Sequence, residues 1–136
     1  LPDLFTGDLS VLSELRSLYE KLSGQPVSKM KAIIGEDIFK VESGIHVDGV
    51  LKNPRTYEPF NPHTVGSQRE IVLGKHSGRQ SILYKLNQPD LSESAAHSIL
   101  KQLKKRCSQL GRNLSDRELR ILASEVQNDK QTEIYC

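Results

Sequence analysis

The sequence has no tryptophan, few aromatic side chains (5%) and only two cysteines among its 136 residues. The cysteines, Cys107 and Cys136, are too few and too far apart for a disulfide framework or a zinc knuckle. They fit a reducing compartment, and we therefore expect the protein in the cytoplasm. No apolar run approaches the length of a membrane-spanning helix, and the first residues lack the layout of a signal peptide, so no membrane partner is expected.

A strong charge of one sign is also lacking, since the net charge is only +2. Basic and acidic residues are interleaved, and there is neither an arginine-rich arm nor an aromatic stacking platform, so nucleic acid is not an expected partner. Apolar residues make up 36% of the chain, which limits the core and favours support from a larger neighbour. Because the chain starts at Leu1 rather than at a methionine, we expect it to be a piece of a longer protein.

The spacing of apolar residues predicts a mainly α fold with one or two short extended segments. Asp8 as N-cap and Gly24 as stop delimit a first helix over residues 9–23. Further helices are expected over 36–43, after Ser77, from Ser92 or Ser94 to about Leu110, and after the Ser115–Glu118 capping box, with extended chain at 26–34 and 70–73 and a helical turn at 61–66.

These patterns divide the chain into three predicted parts. Residues 1–66 form an irregular subdomain that contains the sequence SGIHVDG. Residues 67–127 form a helical subdomain that starts with the sequence LGKHSGR. Residues 128–136 form a polar tail, which we expect to be frayed.

One stretch, residues 42–53, organises the chain. Gly44 and Gly49 bracket His46 and Asp48, and glycine is chosen where the backbone needs positive φ or close approach of another backbone. Four apolar neighbours can anchor a short helix or a tight turn and leave His46 and Asp48 on a different face: Ile45, Val47, Val50 and Leu51. His46 is then either a functional histidine or a satisfied polar group at a helix end.

A second compact motif is Gly74-Lys75-His76-Ser77-Gly78-Arg79. It lacks the glycine spacing that a P-loop has before its lysine, so it resembles a phosphate loop only superficially. The favoured interpretation is a structural loop that turns a strand into a helix. In this interpretation Ser77 caps the helix and Lys75 is exposed.

Together these blocks carry a resemblance. GEDIF at 35–39, ESGIHVDG at 42–49, KNP at 52–54, TYE at 56–58 and LGKHSG at 73–78 occur in one order at characteristic spacing. The chain resembles the region that follows the catalytic barrel in the homocitrate synthase and 2-isopropylmalate synthase family, and is most similar to nitrogenase-associated homocitrate synthases. The resemblance covers most of residues 9–86, and beyond residue 90 it is one of helical type only.

The resemblance implies helical linker subdomains that normally follow a TIM barrel. The family condenses acetyl-CoA with a 2-oxo acid, using a divalent metal held by an Arg-Asp-Gly-type aspartate and a His-x-His pair of the barrel. Neither metal motif is present here, so we expect no metal site and no cofactor in this chain. We expect the metal and acetyl-CoA in the full-length enzyme, and the isolated chain should be inactive.

The resemblance also implies catalytic residues. In the family, a lid histidine and a following tyrosine reach the active site from the neighbouring subunit of a swapped dimer, and these correspond to His46 and Tyr57. Tyr57 can equally be a buried tyrosine with a hydrogen-bonded hydroxyl. The cofactor-binding residues are unknown: His76, with Lys75 and Arg79, can be read as a contact to CoA phosphate, although a structural role is favoured. Val41 stands where many relatives have a histidine.

The function implied is that of the lid and dimerisation region of an enzyme that makes homocitrate from acetyl-CoA and 2-oxoglutarate. Its partners are then the TIM barrel of the same or a neighbouring chain and a second subunit in a homodimer. The alternatives are the same region of a 2-isopropylmalate, citramalate or Re-type citrate synthase, and a non-catalytic dimerisation or regulatory module. The 2-oxo acid is set by barrel residues, and no strand-rich feedback domain is expected after Pro89.

Overall fold

The computed structural model describes the backbone of residues 7–134 and the side chains of residues 7–128. This part of the chain is mainly helical, which confirms the predicted fold class, and no helix in it combines the length and apolar character needed to cross a membrane. The first six residues and Cys136 lie outside the described residues. The α-helices are α1 (Leu12–Ser23), α2 (Gly44–Lys52), α3 (Arg79–Leu86), α4 (Glu93–Leu110) and α5 (Asp116–Ile134).

Extended structure is limited to very short segments. Strands β1 (Lys40–Val41) and β2 (Glu70–Ile71) pair into a two-stranded sheet. A separate antiparallel bridge joins Leu73 to Leu114. Three 3-10 turns complete the regular structure of the described chain, at Leu9–Val11, Pro54–Thr56 and Pro62–Val65.

Most helix ends lie where local capping chemistry predicts them. The Asp8 carboxylate accepts a hydrogen bond from the Ser10 N–H at 2.8 Å and starts the 3-10 turn that leads into α1. Gly24 ends α1 with a left-handed φ of 67°. At α4 the cap is Ser92 rather than Ser94, because the Ser92 hydroxyl accepts from the Ala95 N–H at 3.2 Å.

The capping box before α5 forms in both directions. The Ser115 N–H donates to the Glu118 carboxylate at 2.8 Å, and the Glu118 N–H donates to the Ser115 hydroxyl at 3.3 Å. Arg112 adds a bidentate pair with Glu118, at 2.7 and 3.1 Å. The helix then continues to Ile134, so most of the segment predicted as a frayed tail is helical.

Two predicted elements are wrong. The predicted extended segment 26–34 consists mostly of turns from residue 29 onward, with the Gly35 N–H donating to the Lys31 carbonyl at 2.7 Å and the Asp37 N–H donating to the Lys29 carbonyl at 2.9 Å. Residues 36–43 form a turn and β1 rather than a helix. The Phe39 carbonyl accepts from the Glu70 N–H at 3.1 Å, and such pairing between distant residues leaves no local signal in the sequence.

The described chain divides into two compact units, each built from two sequence segments. The first unit contains the described residues up to Lys40 together with Arg55–Glu70. The second contains Val41–Pro54 and the described residues from Ile71 onward. The predicted domain limits at residues 66 and 127 divide the chain into consecutive segments, whereas each compact unit combines two separate segments. The predicted limits stay predictions.

The first unit has a small interior. Phe39 and Phe60 meet edge to face, with ring centroids 5.6 Å apart. At Gly66, which has a φ of 69°, a Cβ would collide with the Ser10 carbonyl, so only glycine lets the turn at Pro62–Val65 pack on the 3-10 turn at Leu9–Val11. No residue of α1 is buried. Large apolar side chains of this unit are therefore exposed: Val11, Leu15, Leu18, Tyr19, Leu22 and Met30.

The second unit holds the larger core. Helices α3, α4 and α5 pack together, and α2 packs on α3. Helix α4 buries Ile99 and Leu103 completely. One continuous cluster results: Leu73, Ile82, Ile99, Leu103, Cys107, Leu114, Leu119, Leu122 and Ala123.

The capping box makes a prediction about stability and pH. Hydrogen bonds from the Arg112 side chain, and then from Ser115, lower the pKa of Glu118 from 4.5 to about 2. Because this pKa is lowered in the folded state, the contribution of Glu118 to stability is present above pH 4.5 and is lost as the pH falls toward 2. Urea unfolding of Glu118→Gln should therefore show a weaker loss of stability over this pH range than the parent chain.

The matched control is Glu125→Gln, an exposed glutamate on the same helix that pairs with Arg106. Its acid profile should follow that of the parent chain. If Glu118→Gln and Glu125→Gln change the pH dependence of the free energy of unfolding equally, the capping box is not the cause of the loss of stability in acid.

Candidate functional site

His46 is exposed on the first turn of α2, where it is the third residue of the helix. The same helix buries Val47 and Val50 completely, so its opposite face fixes it to the second unit. The prediction that Ile45 also anchors the helix is wrong, since its side chain is 78% exposed. His46 is therefore a surface histidine on an anchored helix rather than a core residue.

The two sequence motifs meet in the second unit. A Cβ at Gly44 would lie 2.6 Å from the Gly78 Cα, so the two backbones touch and neither position has room for a side chain. This confirms close backbone approach as the reason for Gly44. The Gly44 N–H also donates to the His76 carbonyl, at 3.4 Å. The start of the helix that carries His46 thus rests on the turn at residues 74–78.

Glu42 adds a side-chain contact to this backbone contact. Its carboxylate accepts a hydrogen bond from the His76 N–H at 2.8 Å. A Cβ at Gly74 would collide with the Glu42 carboxyl group, so Gly74 leaves the space that Glu42 fills. Nothing in the sequence pattern signals this contact, because Glu42 and His76 are 34 residues apart.

The prediction that Ser77 caps α3 is wrong. Gly78 is the N-cap and makes no side-chain cap hydrogen bond. Ser77 is almost fully buried, and its hydroxyl accepts from the Gly74 N–H at 2.9 Å and donates to the Val72 carbonyl at 3.4 Å. It therefore closes the turn from inside. Lys75 is exposed, as the structural interpretation predicts, and His76 is exposed as well.

Tyr57, the second predicted catalytic residue, belongs to the first unit. It directly follows the 3-10 turn at Pro54–Thr56, and its side chain is 45% exposed, which is incompatible with a buried core tyrosine. The next residue, Glu58, is buried and accepts two hydrogen bonds from Arg69, at 2.6 and 2.7 Å. This ion pair fixes the backbone next to Tyr57, and sequence reasoning missed it. His46 belongs to the second unit, and Tyr57 belongs to the first.

A small cleft of about 360 Å³ opens beside Glu42 and is also lined by Lys75, Cys107 and Arg112. Burial, and then the nearby charge of Glu42, raises the pKa of the Cys107 thiol, so Cys107 is a poor candidate for a nucleophilic thiolate. Within residues 7–128, no group of three or more histidine, cysteine, aspartate or glutamate side chains lies close enough together to hold a metal ion. The described residues therefore do not offer a ligand set for the metal that the resemblance implies.

A profile of the family described as "Homocitrate synthase post-HMGL domain-like" matches residues 33–109, which is more than half of the chain. The chain belongs to this family. The matched residues include α2 with His46, Tyr57 and the turn at 74–78 on which α2 rests. The resemblance drawn from the motifs is thereby confirmed.

Curated relatives of this post-HMGL chain are synthases with three names. It is 40% identical over 127 residues to the omega subunit of homocitrate synthase from Clostridium pasteurianum, covering 92% of this chain and 36% of that protein. It is 44% identical over 121 residues to 2-isopropylmalate synthase 2 from Caldanaerobacter subterraneus subsp. tengcongensis, covering 88% and 32%. It is 41% identical over 117 residues to (R)-citramalate synthase from Methanocaldococcus jannaschii, covering 85% and 24%. The chain thus spans about a quarter to a third of the length of these relatives.

The glycine contact gives a prediction with a clear sign. An alanine at an open helical position normally stabilises a protein by about 0.5–1 kcal/mol relative to glycine. At position 44 the new Cβ must instead displace the Gly78 backbone, because the contact would be 2.6 Å. We expect Gly44→Ala to lower the free energy of unfolding by about 1–3 kcal/mol, as overpacking does. Urea unfolding of the 136-residue chain measures it.

The control is Gln102→Ala, an exposed position of α4, which should change the free energy of unfolding by less than about 0.5 kcal/mol. A Gly44→Ala variant that is more stable than the parent chain would show that the two backbones are not in contact.

Proposed function

We propose that this chain is the lid region of a synthase that condenses acetyl-CoA with 2-oxoglutarate to form homocitrate. The observation that carries the proposal is the exposed His46 on a helix whose start is fixed by the turn at 74–78. A catalytic histidine must be both accessible and held in place, and His46 satisfies both conditions. Relatives named 2-isopropylmalate synthase and citramalate synthase support the wider class, condensation of an acyl-CoA with a 2-oxo acid.

His46 suits the chemistry of enol formation. A base removes a proton from the acetyl methyl group, and negative charge then develops on the thioester oxygen. A histidine N–H that donates to this oxygen stabilises the charge, and an imidazole near neutral pH can also pass a proton to it. His46 is assigned this role, as donor or proton relay.

Tyr57 is proposed to act in the same site. Its exposure of 45%, next to the fixed backbone of Glu58, supports a tyrosine whose side chain is accessible to a partner. Tyr57→Phe removes only the hydroxyl and is therefore the appropriate substitution in the full-length enzyme. The variant should lower kcat if the hydroxyl contacts a reacting group.

The partner proposed for this region is a catalytic barrel of the same or a neighbouring chain, within a homodimer in the cytoplasm. The family description, with the words "post-HMGL", supports a preceding domain. The metal and acetyl-CoA are assigned to the full-length enzyme and not to this chain, which alone is proposed to be inactive. The exposed apolar residues of the first unit support a surface that a neighbour covers.

The first test is His46→Ala in the full-length enzyme. We expect kcat to fall by about 10²- to 10³-fold, the usual cost of losing one such donor or acid–base group, with little change in the KM of the oxo acid. His97→Ala, an exposed histidine on α4, is the matched control and should retain kcat. Thermal melting and kcat are measured on the same preparations.

If His46 is only structural, its variant melts earlier and the folded fraction keeps its specific activity. Action across a dimer has its own test, in which His46→Ala subunits are mixed with subunits that lack a barrel metal ligand. Some mixed dimers then contain one intact site, and part of the activity should return. Heterodimers without activity would mean that the lid serves its own barrel.

The second test concerns association of the 136-residue chain. Leu15 and Leu22 of α1 are 56% and 77% exposed, and exposed apolar surface of this kind tends to bind a partner. We expect sedimentation at low micromolar concentration to show dimers or larger species. A double Leu15→Ser, Leu22→Ser variant should shift the chain toward its monomer mass of 15.3 kDa. A parent chain that sediments only as a monomer would contradict this expectation.

A further inference from the structure

We propose that Glu42 is a positioning residue for His46. It acts by holding the start of α2 on the turn at residues 74–78. This inference rests on the proposed function of His46. It assigns a purpose to the second sequence motif, which the proposed chemistry does not otherwise use. In this proposal the backbone of the turn supports the start of a helix, and the turn is not a binding loop for an anion.

Three contacts join the two segments side by side. The Glu42 carboxylate accepts from the His76 N–H at 2.8 Å, and the Gly44 N–H donates to the His76 carbonyl at 3.4 Å. Between them, Gly44 lies against Gly78 with no room for a Cβ on either residue. A hydrogen bond to a charged acceptor is stronger than one between neutral groups, so the Glu42 contact is the strongest of these polar links.

The turn is shaped to receive the carboxylate. Gly74 lacks the Cβ that would occupy the space of the Glu42 carboxyl group, and the same space is bordered by Asn113 from the loop after α4. The buried Ser77 hydroxyl closes the turn on its inner side through the Gly74 N–H. The Glu42 carboxylate therefore occupies a space that the missing Cβ of Gly74 leaves open.

The turn offers its backbone, not its side chains, to α2. Both groups that contact Glu42 and Gly44 are the N–H and carbonyl of His76, whereas the side chains of Lys75 and His76 are exposed. A loop built to bind phosphate would present its N–H groups outward to a ligand. Here the His76 N–H is directed to a carboxylate of the same unit.

The consequence for His46 follows from distance along the helix. Glu42 is the second residue before Gly44, where α2 starts, and His46 lies in the first turn. Loss of the carboxylate releases the segment that sets the position of this turn. A shift of about 1 Å of a catalytic group can lower the rate by about 10²-fold, so a modest loosening is enough to be measured.

The experiment uses the full-length enzyme with Glu42→Ala, Glu42→Gln, Lys75→Ala and Glu125→Ala. Glu42→Ala should lower kcat by about tenfold or more, with the KM of both substrates nearly unchanged, because binding is retained and alignment is lost. Glu42→Gln keeps an oxygen acceptor for the His76 N–H and should restore most of kcat. Lys75→Ala and Glu125→Ala should behave like the parent enzyme.

Amide hydrogen exchange of a peptide that covers residues 74–78 is measured on the same proteins. Exchange should accelerate by about tenfold in Glu42→Ala, as expected for the loss of one hydrogen bond, and much less in Glu42→Gln. This measurement does not depend on the chemistry of His46. It therefore tests the contact between Glu42 and the turn even if His46→Ala proves fully active and the proposed function fails.

The inference is overturned if exchange at 74–78 is the same in Glu42→Ala and the parent enzyme. It is also overturned if exchange accelerates while kcat is unchanged and His46→Ala is inactive, since Glu42 would then hold the turn without positioning His46. An increase in the KM of acetyl-CoA in Lys75→Ala would assign the turn to anion binding instead.

Discussion

The contact between the Gly44 and Gly78 backbones is the constraint on which the arrangement of the second unit depends. It brings the start of α2 and the start of α3 to the distance at which only glycine fits, and thereby unites two segments that are far apart in the sequence. The buried residues of α2, Val47 and Val50, then pack on one side while His46 is exposed on the other. The close approach thus fixes the start of the helix that buries the two valines on one face and exposes the histidine on the other.

The two units hold their candidate residues in similar ways. In the first unit the Glu58–Arg69 ion pair fixes the backbone beside the exposed Tyr57, and in the second unit the Glu42–His76 contact fixes the backbone before His46. In each case a carboxylate with a defined partner stands close in sequence to an exposed polar side chain. Such support is what a functional group needs if its own side chain is to be accessible.

The sequence predicts those features whose cause is local. Asp8, Ser92 and Ser115 each cap a helix through groups within three residues, and the apolar face of α4 follows from a helical repeat. Ser77 has the same residue type as these caps, yet the buried turn uses its hydroxyl, and no local pattern distinguishes the two uses. Strand β1 and the contact of Glu42 with the His76 N–H depend on partners about 30 residues away, so neither could be predicted without a structure.

The division of each unit into two sequence segments has a consequence for the order of folding during synthesis. The first unit requires Arg55–Glu70 and the second requires residues from Ile71 onward, so a nascent chain that ends at Pro54 contains neither unit in full. Helix α2 buries Val47 and Val50 and packs on α3, so its apolar face stays uncovered until the segment from Ile71 onward is synthesised. A cut within residues 41–70 would leave neither product with a complete unit, so a segment meant for separate expression must extend across this range.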